Sequence, residues 1–457
     1  MALVLPGGPE SAVAFLAVAS AAVAAPLNPA YRRAEFEFFL KDLGARLLIT
    51  RPGLSTAAEE AAAVLGIPIA ACNPSPGASP GRFDLDFGGG AARPSGQPPE
   101  LPPGAALLLH TSGTTSRPKL VPLTHGNLCA SARNMVRALE LTEADRCLNL
   151  MPLFHIHGLA GGVLASLAAG GSVYCGSGFS AHRFSGWLEE SRATWFTAVP
   201  TMHQAILLRN PGPGAAAPGP RLRFVRSCSA PLPPSVWRQM ESVYSAPVIN
   251  AYGMTEASHQ IAAIPLPPGR SKVGTVGVGG AAEVAIMDAA GELLPPGVEG
   301  EVVIRGPVVT PGYAANPEAN RAAFLNGWFR TGDRGRLDPE GYLTLTGRIK
   351  ELINCGGEKI SPVEIDEVLL QHPAVAQAIA FAAPHDKLGE CVAAAVVLRA
   401  GVQTTPAELR AFVGDRLAKY KTPRKIVFVE EIPQGPTGKP QRIGLAARLG
   451  LDGGSVQ

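Results

Sequence analysis

Short apolar runs alternate with helical patterns through much of the chain, and this alternation limits the possible folds more than any other feature. Three of these runs are typical of strands, Trp195–Val199, Arg223–Ser227 and Val248–Ala251, and Thr124 is placed to cap a helix that reaches about Leu141. Strands that alternate with helices favour a layered α/β core. We therefore expect the fold class to be α/β, with layered sheets in the first part of the chain.

The pattern changes twice further along. From about Thr275 to Gly306, short β runs are separated by Gly and Pro turns, which predicts a small β subdomain. Beyond Lys350, the capping-box sequences Ser361-Pro-Val-Glu364 and Thr405-Pro-Ala-Glu408 each precede a helical pattern, which predicts a compact α+β unit. The predicted division is a large domain of several subdomains, residues 1–349, and a small mobile C-terminal domain, residues 350–457.

Two stretches rich in Pro, Gly and Ala, residues 73–104 and 211–220, are predicted to be linkers or exposed loops. The apolar segment Ser11–Ala25 is predicted to be a buried helix. A signal peptide is disfavoured because Glu10 and no Lys or Arg precedes the segment, and the segment is too short to span a bilayer.

Charge and cysteine content exclude several classes of protein. The formal net charge is +3, from 40 Lys and Arg against 37 Asp and Glu, and no long basic run suggests a nucleic-acid or membrane partner. The seven cysteines are scattered and never spaced CxxC, so neither a disulfide framework nor a zinc site is indicated. A cytoplasmic location fits this composition.

The ten residues HTSGTTSRPK follow the apolar run Ala105–Leu109 and are the strongest sign of a ligand. In such a loop Gly113 allows the backbone to approach an oxyanion, hydroxyl and amide groups donate hydrogen bonds, and Lys119 supplies charge. The pattern is not a Walker loop, because Pro118 and Leu120 flank the lysine. It predicts a site for a nucleotide polyphosphate.

Four later motifs carry complementary chemistry. NAYGMTE, ending at Glu256, offers an aromatic ring for a purine, a hydroxyl for a phosphate and a carboxylate for magnesium. WFRTGD ends at Asp333, which suits a ribose diol, GRIKELINCGGEKIS combines a cationic turn with two glycines, and PTGK presents Lys439. Each motif has an ordinary alternative when taken singly: a buried aromatic beside a surface charge, a turn-capping aspartate, a plain glycine turn and a solvated lysine.

HTSGTTSRPK, YGMTE, FRTGD, GRIKELINCGGEKISP and PTGK occur in one order, and with them the chain resembles the acyl-adenylate-forming superfamily. That superfamily includes acyl-CoA synthetases, firefly luciferase and the adenylation domains of nonribosomal peptide synthetases. The resemblance runs from about residue 1 to residue 445, with a front segment that is short for the family. It implies ATP, Mg²⁺ and coenzyme A as ligands.

The resemblance also implies a role for each motif residue. The ATP phosphates are assigned to Thr111, Ser112, Gly113, Thr114, Thr115 and Lys119. Adenine is assigned to Tyr252, the α-phosphate to Thr255, magnesium to Glu256, and the ribose to Asp333 and Arg348. Lys439 and the gate histidine His155 complete the catalytic set, Lys350 is the hinge, and Gly356 and Gly357 border the pantetheine tunnel.

A hinge is expected because two reactions share one pocket. Adenylation needs the small domain to deliver Lys439, where its charge stabilises the attack of the acid and the departure of pyrophosphate. Thioester formation needs the lysine withdrawn so that a thiol can enter, and a domain rotation satisfies both needs.

The acid is less strongly indicated than the reaction. RSCSA, AYGMTEASHQ and LINCGGEKISP most resemble the oxalate–CoA ligase branch. By that resemblance Ser229 and His259 bind the distal carboxylate, with Ser227 and His155 close behind, because such a group needs fixed donors in a partly dry site. A structural role for His259 is the alternative.

The predicted enzyme is an ATP-dependent acid–CoA ligase that forms an acyl-AMP intermediate, then an acyl-CoA thioester, AMP and pyrophosphate, on oxalate or another very short dicarboxylate. Medium-chain or aromatic monocarboxylates are the alternative substrates. An adenylation enzyme that loads a separate carrier protein is the alternative activity.

Overall fold

The computed structural model describes residues 1–88, 99–111, 118–209, 222–435 and 439–451. The first sheet is built from β1 (Ala2–Val4), β2 (Ala25–Pro26), β3 (Leu48–Thr50), β4 (Ile69–Pro74) and β5 (Phe83–Asp86), with α1 (Pro9–Ala21), α2 (Arg33–Asp42) and α3 (Thr56–Val64) between its strands. Its order is β2-β1-β3-β4-β5, parallel except for β5.

Two predictions fall in this sheet. The apolar segment at residues 11–25 is largely helix α1, whose inner face is buried, so the prediction of a buried helix is confirmed. The prediction of an irregular loop over residues 73–104 is wrong in part, because β5 pairs with β4 there. The segment was missed because β5 is a short, charged edge strand rather than an apolar one.

An antiparallel hairpin, β6 (Ala105–Thr111) and β7 (Lys119–Thr124), leads into α4 (His125–Ala138). Thr124 caps this helix as predicted, since its Oγ1 accepts a hydrogen bond from the Asn127 backbone N–H at 3.1 Å. The helix ends at Ala138, short of the expected Leu141.

The central sheet contains β8 (Arg146–Asn149), β9 (Ser172–Cys175), β10 (Trp195–Ala198), β11 (Phe224–Cys228), β12 (Val248–Met254), β13 (His259–Ala263) and β14 (Val278–Gly279). Its order is β14-β13-β12-β11-β10-β8-β9, parallel from β9 to β12. Its helical segments are a π-helix (His157–Leu164), α5 (Ala165–Ala168), α6 (Phe184–Ser191), α7 (Pro200–Arg209), α8 (Pro234–Tyr244) and a 3₁₀ turn (Thr255–Ala257). The three predicted strands are confirmed as β10, β11 and β12.

The predicted β subdomain is confirmed and is larger than expected. It contains β15 (Glu283–Met287), β16 (Gly300–Arg305), α9 (Pro317–Ala323), β17 (Phe324–Leu325), β18 (Trp328–Leu337) and β19 (Leu343–Arg348). The antiparallel order is β15-β16-β18-β17, and β19 pairs with β18.

The C-terminal sheet follows a 3₁₀ turn at Ile349–Glu351 and has a hydrophobic core of its own. It comprises β20 (Ile353–Cys355), β21 (Glu358–Ile360), α10 (Pro362–Leu369), β22 (Val375–His385), β23 (Gly389–Leu398), α11 (Pro406–Gly414), a 3₁₀ turn (Lys419–Lys421), β24 (Lys425–Phe428) and α12 (Leu445–Arg448). The order is β21-β20-β23-β22, with β24 parallel to β23. The expected fold class, layered α/β sheets with a β subdomain and a small α+β unit, is confirmed.

The two predicted capping boxes differ in outcome. Thr405 forms its box, with Oγ1 accepting from the Glu408 backbone N–H at 3.2 Å and the Glu408 carboxylate accepting from the Thr405 N–H at 2.8 Å. The Ser361 box is wrong, because the Ser361 hydroxyl donates to the Thr346 carbonyl and Glu364 pairs with a lysine instead. A tertiary contact has replaced the local one. Across the described ranges, none of the helices has the length and hydropathy needed to cross a membrane.

Candidate active site

The candidate site lies where parallel strands of the central sheet end. β8, β11 and β12 are followed directly by the segments that hold His155, Ser229 and Glu256, respectively. Because the carboxyl ends of parallel strands meet at one edge of a sheet, this topology gathers the predicted residues into one cleft. The β subdomain and the C-terminal sheet supply the remaining groups.

Glu256 is a buried carboxylate in the 3₁₀ turn after β12. The Tyr313 hydroxyl donates to its Oε1 at 3.0 Å, and its backbone carbonyl accepts from the Thr310 N–H at 2.7 Å. Burial raises the pKa of Glu256, whereas the Tyr313 hydrogen bond and the positive charges of Arg348 and Lys119 lower it. The net effect is a raised pKa, so Glu256 is a buried carboxyl group with cations around it.

Tyr252, Asp333 and Arg348 form a hydrogen-bonded chain on one side of the cleft. Asp333 and Arg348 are paired in register on β18 and β19, and Arg348 Nε donates to Asp333 Oδ1 at 2.9 Å. The Tyr252 hydroxyl donates to the other carboxylate oxygen at 2.5 Å. Burial, followed by the charge of Asp333, raises the pKa of Tyr252 well above its usual value. The residues predicted for adenine and ribose are thus in mutual contact.

Thr111 and Lys119 mark the two ends of the predicted phosphate loop, and they face each other across the β6–β7 hairpin. Lys119 Nζ lies 4.4 Å from the centroid of the Tyr313 ring, which is within the range of a cation–π contact. Burial and the neighbouring charge of Lys350 lower the pKa of Lys119. Ser112, Gly113, Thr114 and Thr115 lie outside the described residues.

Lys439 reaches this cleft from the far end of the chain. Burial and the positive charge of Arg348 lower the pKa of its ammonium to about 8, while Asp333 and Glu256 act in the opposite direction. Burial and the charge of Lys439 in turn lower the pKa of His155 to about 3. Lys439 thus interacts electrostatically with Arg348, Asp333, Glu256 and His155.

Arg442 holds the segment that carries Lys439, and the sequence analysis missed it. Its guanidinium donates to Asp366 Oδ2 at 2.8 Å, to Glu351 Oε2 at 3.2 Å and to the Ala380 carbonyl. The Gly435 N–H donates a backbone hydrogen bond of 2.8 Å to the Lys439 carbonyl. The signal was present as an arginine three residues after the lysine, but its partners lie far away in the sequence.

A second group of polar residues lies at the start of the π-helix. The rings of His157 and His259 stack with centroids 4.8 Å apart, and His157 Nδ1 lies 3.1 Å from Ser229 Oγ. Burial lowers the pKa of both histidines well below the usual value, so both rings are neutral. The predicted pair Ser229 and His259 is therefore joined by His157, a residue to which the sequence analysis assigned no role.

The backbone around this pocket is unusual. Ser229 and His259 adopt positive φ angles of 78° and 112°, a region that non-glycine residues rarely enter and that often marks functional sites. A Cβ on Gly253 would lie 1.7 Å from the His259 carbonyl oxygen, so the glycine of the YGMTE motif is required for this close approach. A π-helix is a further feature common at functional sites.

His155 is linked to this pocket by a hydrogen bond with the backbone of His157. Its Nδ1 accepts a hydrogen bond of 3.3 Å from the His157 N–H, so in the neutral ring the proton is on Nε2. Ser227 is different: it alternates with Arg226 on β11, so its side chain faces the other side of the sheet. No described hydrogen bond ties the Ser227 hydroxyl to the histidine pair.

Gly356 and Gly357 form the turn between β20 and β21 and have φ angles of +61° and +95°. This left-handed conformation is itself sufficient reason for glycine at both positions. Lys350 lies in the 3₁₀ turn that joins β19 to β20. Within the described ranges, no three His, Cys, Asp or Glu side chains form a cluster that would hold a metal by themselves.

A large N-terminal domain of layered α/β sheets followed by a smaller C-terminal α+β domain is the fold of an adenylate-forming enzyme. The chain belongs to the AMP-binding enzyme family: the family model matches residues 1–314, and the model of the AMP-binding enzyme C-terminal domain matches residues 364–439. The resemblance found in the sequence is confirmed.

Named relatives and a solved structure agree with this membership. An oxalate–CoA ligase of Arabidopsis thaliana is 45% identical over 97% of this chain and 87% of its own length. A sulfoacetate–CoA ligase of Cupriavidus necator is 40% identical over 96% of this chain and 86% of its own length. The ATP-bound MatB of Rhodopseudomonas palustris superposes with a TM-score of 0.85 at 29% identity, covering 98% of this chain and 88% of that one.

Proposed function

We propose that this chain is an ATP-dependent acid–CoA ligase that activates oxalate or another very short acid bearing a second anionic group. The acid is first converted to an acyl-AMP with release of pyrophosphate, and coenzyme A then displaces AMP to give the thioester. The observation that carries the proposal is the electrostatic interaction of Lys439 with Arg348, Asp333, Glu256 and His155, together with a pocket formed by two buried histidines and the partly buried Ser229.

In the first half-reaction, a carboxylate oxygen of the acid attacks the α-phosphorus of ATP and pyrophosphate leaves. Lys439 stabilises the negative charge that the acid and the α-phosphate bring together. Lys119 and Thr111 bind the leaving phosphates, Thr255 contacts the α-phosphate, and Tyr252, Asp333 and Arg348 hold adenine and ribose. The hydrogen bonds that join Tyr252 and Arg348 to Asp333 support the assignment of these three residues to one nucleotide.

Magnesium fits the residues present, with Glu256 as its protein ligand. Mg²⁺ prefers one or two carboxylates together with phosphate oxygens, and a single buried carboxylate near the predicted phosphate loop matches that preference. The ion would neutralise phosphate charge during the displacement. Tyr313 keeps the Glu256 carboxylate in place by its hydrogen bond.

In the second half-reaction, the C-terminal unit withdraws Lys439 and a thiol enters. We propose Lys350 as the hinge, which divides the chain into residues 1–349 and 350–457. The position of Lys350 between β19 and β20, at the change from one sheet to the next, supports this role. Gly356 and Gly357 are proposed to border the pantetheine tunnel in the rotated arrangement.

The polarity of the acid pocket supports a second anionic group on the substrate. Ser229, His259 and His157 present hydroxyl and ring N–H groups in a buried setting, whereas a fatty acid would need an apolar lining. Oxalate is the first candidate because of the oxalate–CoA ligase relative. Sulfoacetate is the second candidate, because a sulfoacetate–CoA ligase is another relative and sulfoacetate carries a sulfonate close to its carboxylate.

The test is AMP formation by the purified protein across a panel of acids, with and without coenzyme A. Oxalate, sulfoacetate, malonate, octanoate and benzoate separate the substrate classes. We expect CoA-dependent AMP formation with oxalate or sulfoacetate. Preference for octanoate or benzoate would overturn the substrate, and AMP formation that needs a carrier protein in place of CoA would overturn the ligase activity. The cytoplasmic location remains a proposal that rests on the seven free cysteines.

A further inference from the structure

Arg226 is a fully buried arginine in the middle of β11, at 0% exposure. Its hydrogen bonds go to neutral groups: Nη1 donates to Thr197 Oγ1 at 3.3 Å and Nη2 donates to Gln260 Oε1 at 2.9 Å. Among the described residues, none of the ion pairs includes Arg226, and its Nε has no hydrogen-bond partner. A guanidinium remains charged inside a protein, and a buried cation without an anion carries a desolvation cost.

The same guanidinium reaches the acid pocket through His157. Arg226 Nη1 lies 3.3 Å from His157 Nε2, and Thr197 Oγ1 lies 2.7 Å from the same nitrogen. Arginine has no acceptor, so when Nη1 donates to this ring Nε2 accepts, the Thr197 hydroxyl also donates to Nε2, and the single proton of the neutral ring is on Nδ1. Nδ1 lies 3.1 Å from Ser229 Oγ, so it donates to the serine oxygen.

The proton position on His157 determines whether the Ser229 hydroxyl can donate to the substrate. Since the Ser229 oxygen accepts from His157, its own hydroxyl proton is available to donate to a bound group. His259 lies beside this point, with a fully buried Nε2 that has no partner among the described residues. The chain leaves room for that atom: a Cβ on Gly161 would lie 2.4 Å from it.

We infer that Arg226 is a positioning residue that determines specificity: acting through His157, it makes Ser229 a hydrogen-bond donor toward the second anionic group of a very short acid. The positive charge behind the two histidines favours an anion over a neutral group of the same shape. Arg226 does not touch the acid. In this relay, Arg226 orients His157, His157 in turn orients Ser229, and Ser229 contacts the acid.

This role rests on the proposed function, and oxamate makes it testable. Oxamate has the shape of oxalate but carries a neutral amide in place of the second carboxylate. The measurement is kcat/KM for AMP formation with oxalate and with oxamate, in wild type and in Arg226→Met, Arg226→Lys and the control Arg238→Met. Arg238 is an exposed arginine on α8, so its loss removes the same charge without touching the relay.

We expect wild type and Arg238→Met to prefer oxalate over oxamate. In Arg226→Met the preference should shrink by about 10- to 100-fold, mainly through a higher KM for oxalate, which is the size expected for losing a charge-assisted hydrogen-bond arrangement. Arg226→Lys should be intermediate, because it keeps the charge but not the planar fork. Equal losses for oxalate and oxamate in Arg226→Met would reveal a purely structural role and overturn the inference.

A second measurement does not depend on the folding of any variant at position 226. Nitrogen-15 NMR of histidine-labelled wild-type protein, with the signal assigned by His157→Gln, reports which ring nitrogen carries the proton. We expect the proton of His157 on Nδ1, and a proton on Nε2 would overturn the relay. Failure of the proposed function appears separately, as a wild-type enzyme that activates neither oxalate nor sulfoacetate.

Discussion

The lowered pKa of Lys439 makes the first half-reaction sensitive to alkaline pH. Burial and Arg348 bring this pKa to about 8, well below the usual 10.5 of a lysine. The charged form, which the proposed mechanism requires, therefore predominates below pH 8 and is lost as the pH rises. The charged fraction is about nine-tenths at pH 7 and about one-tenth at pH 9 for a group of this pKa. We expect kcat/KM for adenylation to fall about tenfold across that interval.

The assay is ATP–pyrophosphate exchange with the preferred acid and no coenzyme A, because the thiol of CoA titrates in the same range. The profile of kcat/KM reports the free enzyme, in which no phosphate charge raises the lysine pKa again. Lys439→Arg is the matched variant, since a guanidinium stays charged throughout. Its profile should be flat between pH 7 and 9, even where its rate is lower.

Two results would refute this account of Lys439. One is a wild-type profile that stays level to pH 10, and the other is the same decline in Lys439→Arg. Lys439→Ala gives an independent check, with a loss of about 10²- to 10³-fold expected in exchange, as for other single groups that stabilise developing charge. The same variant should still convert supplied acyl-AMP and CoA to the thioester, because the proposed mechanism withdraws the lysine in that step.

Two further predictions concern the acid pocket and a helix cap. His259→Ala should raise the oxalate KM far more than the KM of a monocarboxylate. Gly161→Ala should act in the same direction, because the added methyl group displaces the His259 ring. An unchanged preference between the two acids in steady-state kinetics would contradict both predictions. Thr405→Ala should lower the free energy of unfolding by about 1 kcal/mol, as measured by urea denaturation, because its capping hydrogen bonds are lost. Ser361→Ala is the comparison, because Ser361 does not cap its helix and its replacement removes no capping hydrogen bond.

Local signals in the sequence predicted the elements that local interactions decide. The helix caps of Thr124 and Thr405 involve residues three positions away, so the spacing in the sequence directly predicts the capping hydrogen bond. Three strands of the central sheet, β10, β11 and β12, were likewise predicted, because continuous apolar runs reflect burial on both faces. Ser361 shows the limit, since its capping pattern is intact but its hydroxyl finds a carbonyl on a neighbouring sheet.

The nucleotide side of the candidate site was predictable because its residues stand in ordered motifs. Arg348 and Asp333 are hydrogen-bonded to each other, and both interact electrostatically with Lys439, as does Glu256; the roles assigned to these residues remain predictions. The loop residues 112–115 lie outside the described part of the chain. For Gly356 and Gly357, the left-handed backbone supplies a reason that the sequence argument did not consider.

The residues that hold the site residues in place, Arg226 and Arg442, could not be predicted from the spacing of motifs along the sequence. Arg226 contacts residues on a π-helix, on β10 and on β13, and these contacts depend on strand order and register rather than on distance along the chain. In the sequence, an arginine within Phe-Val-Arg-Ser-Cys signals only that a charge interrupts an apolar strand. Arg442 is similar, because its partners Glu351 and Asp366 come from elements far away in sequence.

The charge distribution of the cleft links the fold to the proposed cycle. The whole chain is nearly neutral, at +3, yet Lys119, Lys350, Arg348 and Lys439 converge on a cleft in which Glu256 and Asp333 are the acidic partners. Burial and then the positive charge of Lys350 lower the pKa of Lys119, so these two cations repel each other in the arrangement described. ATP brings the negative charge that offsets this repulsion, so nucleotide binding should favour the arrangement with Lys439 inserted. Departure of pyrophosphate removes much of that charge, and the restored repulsion then favours withdrawal of the C-terminal unit before the thiol enters.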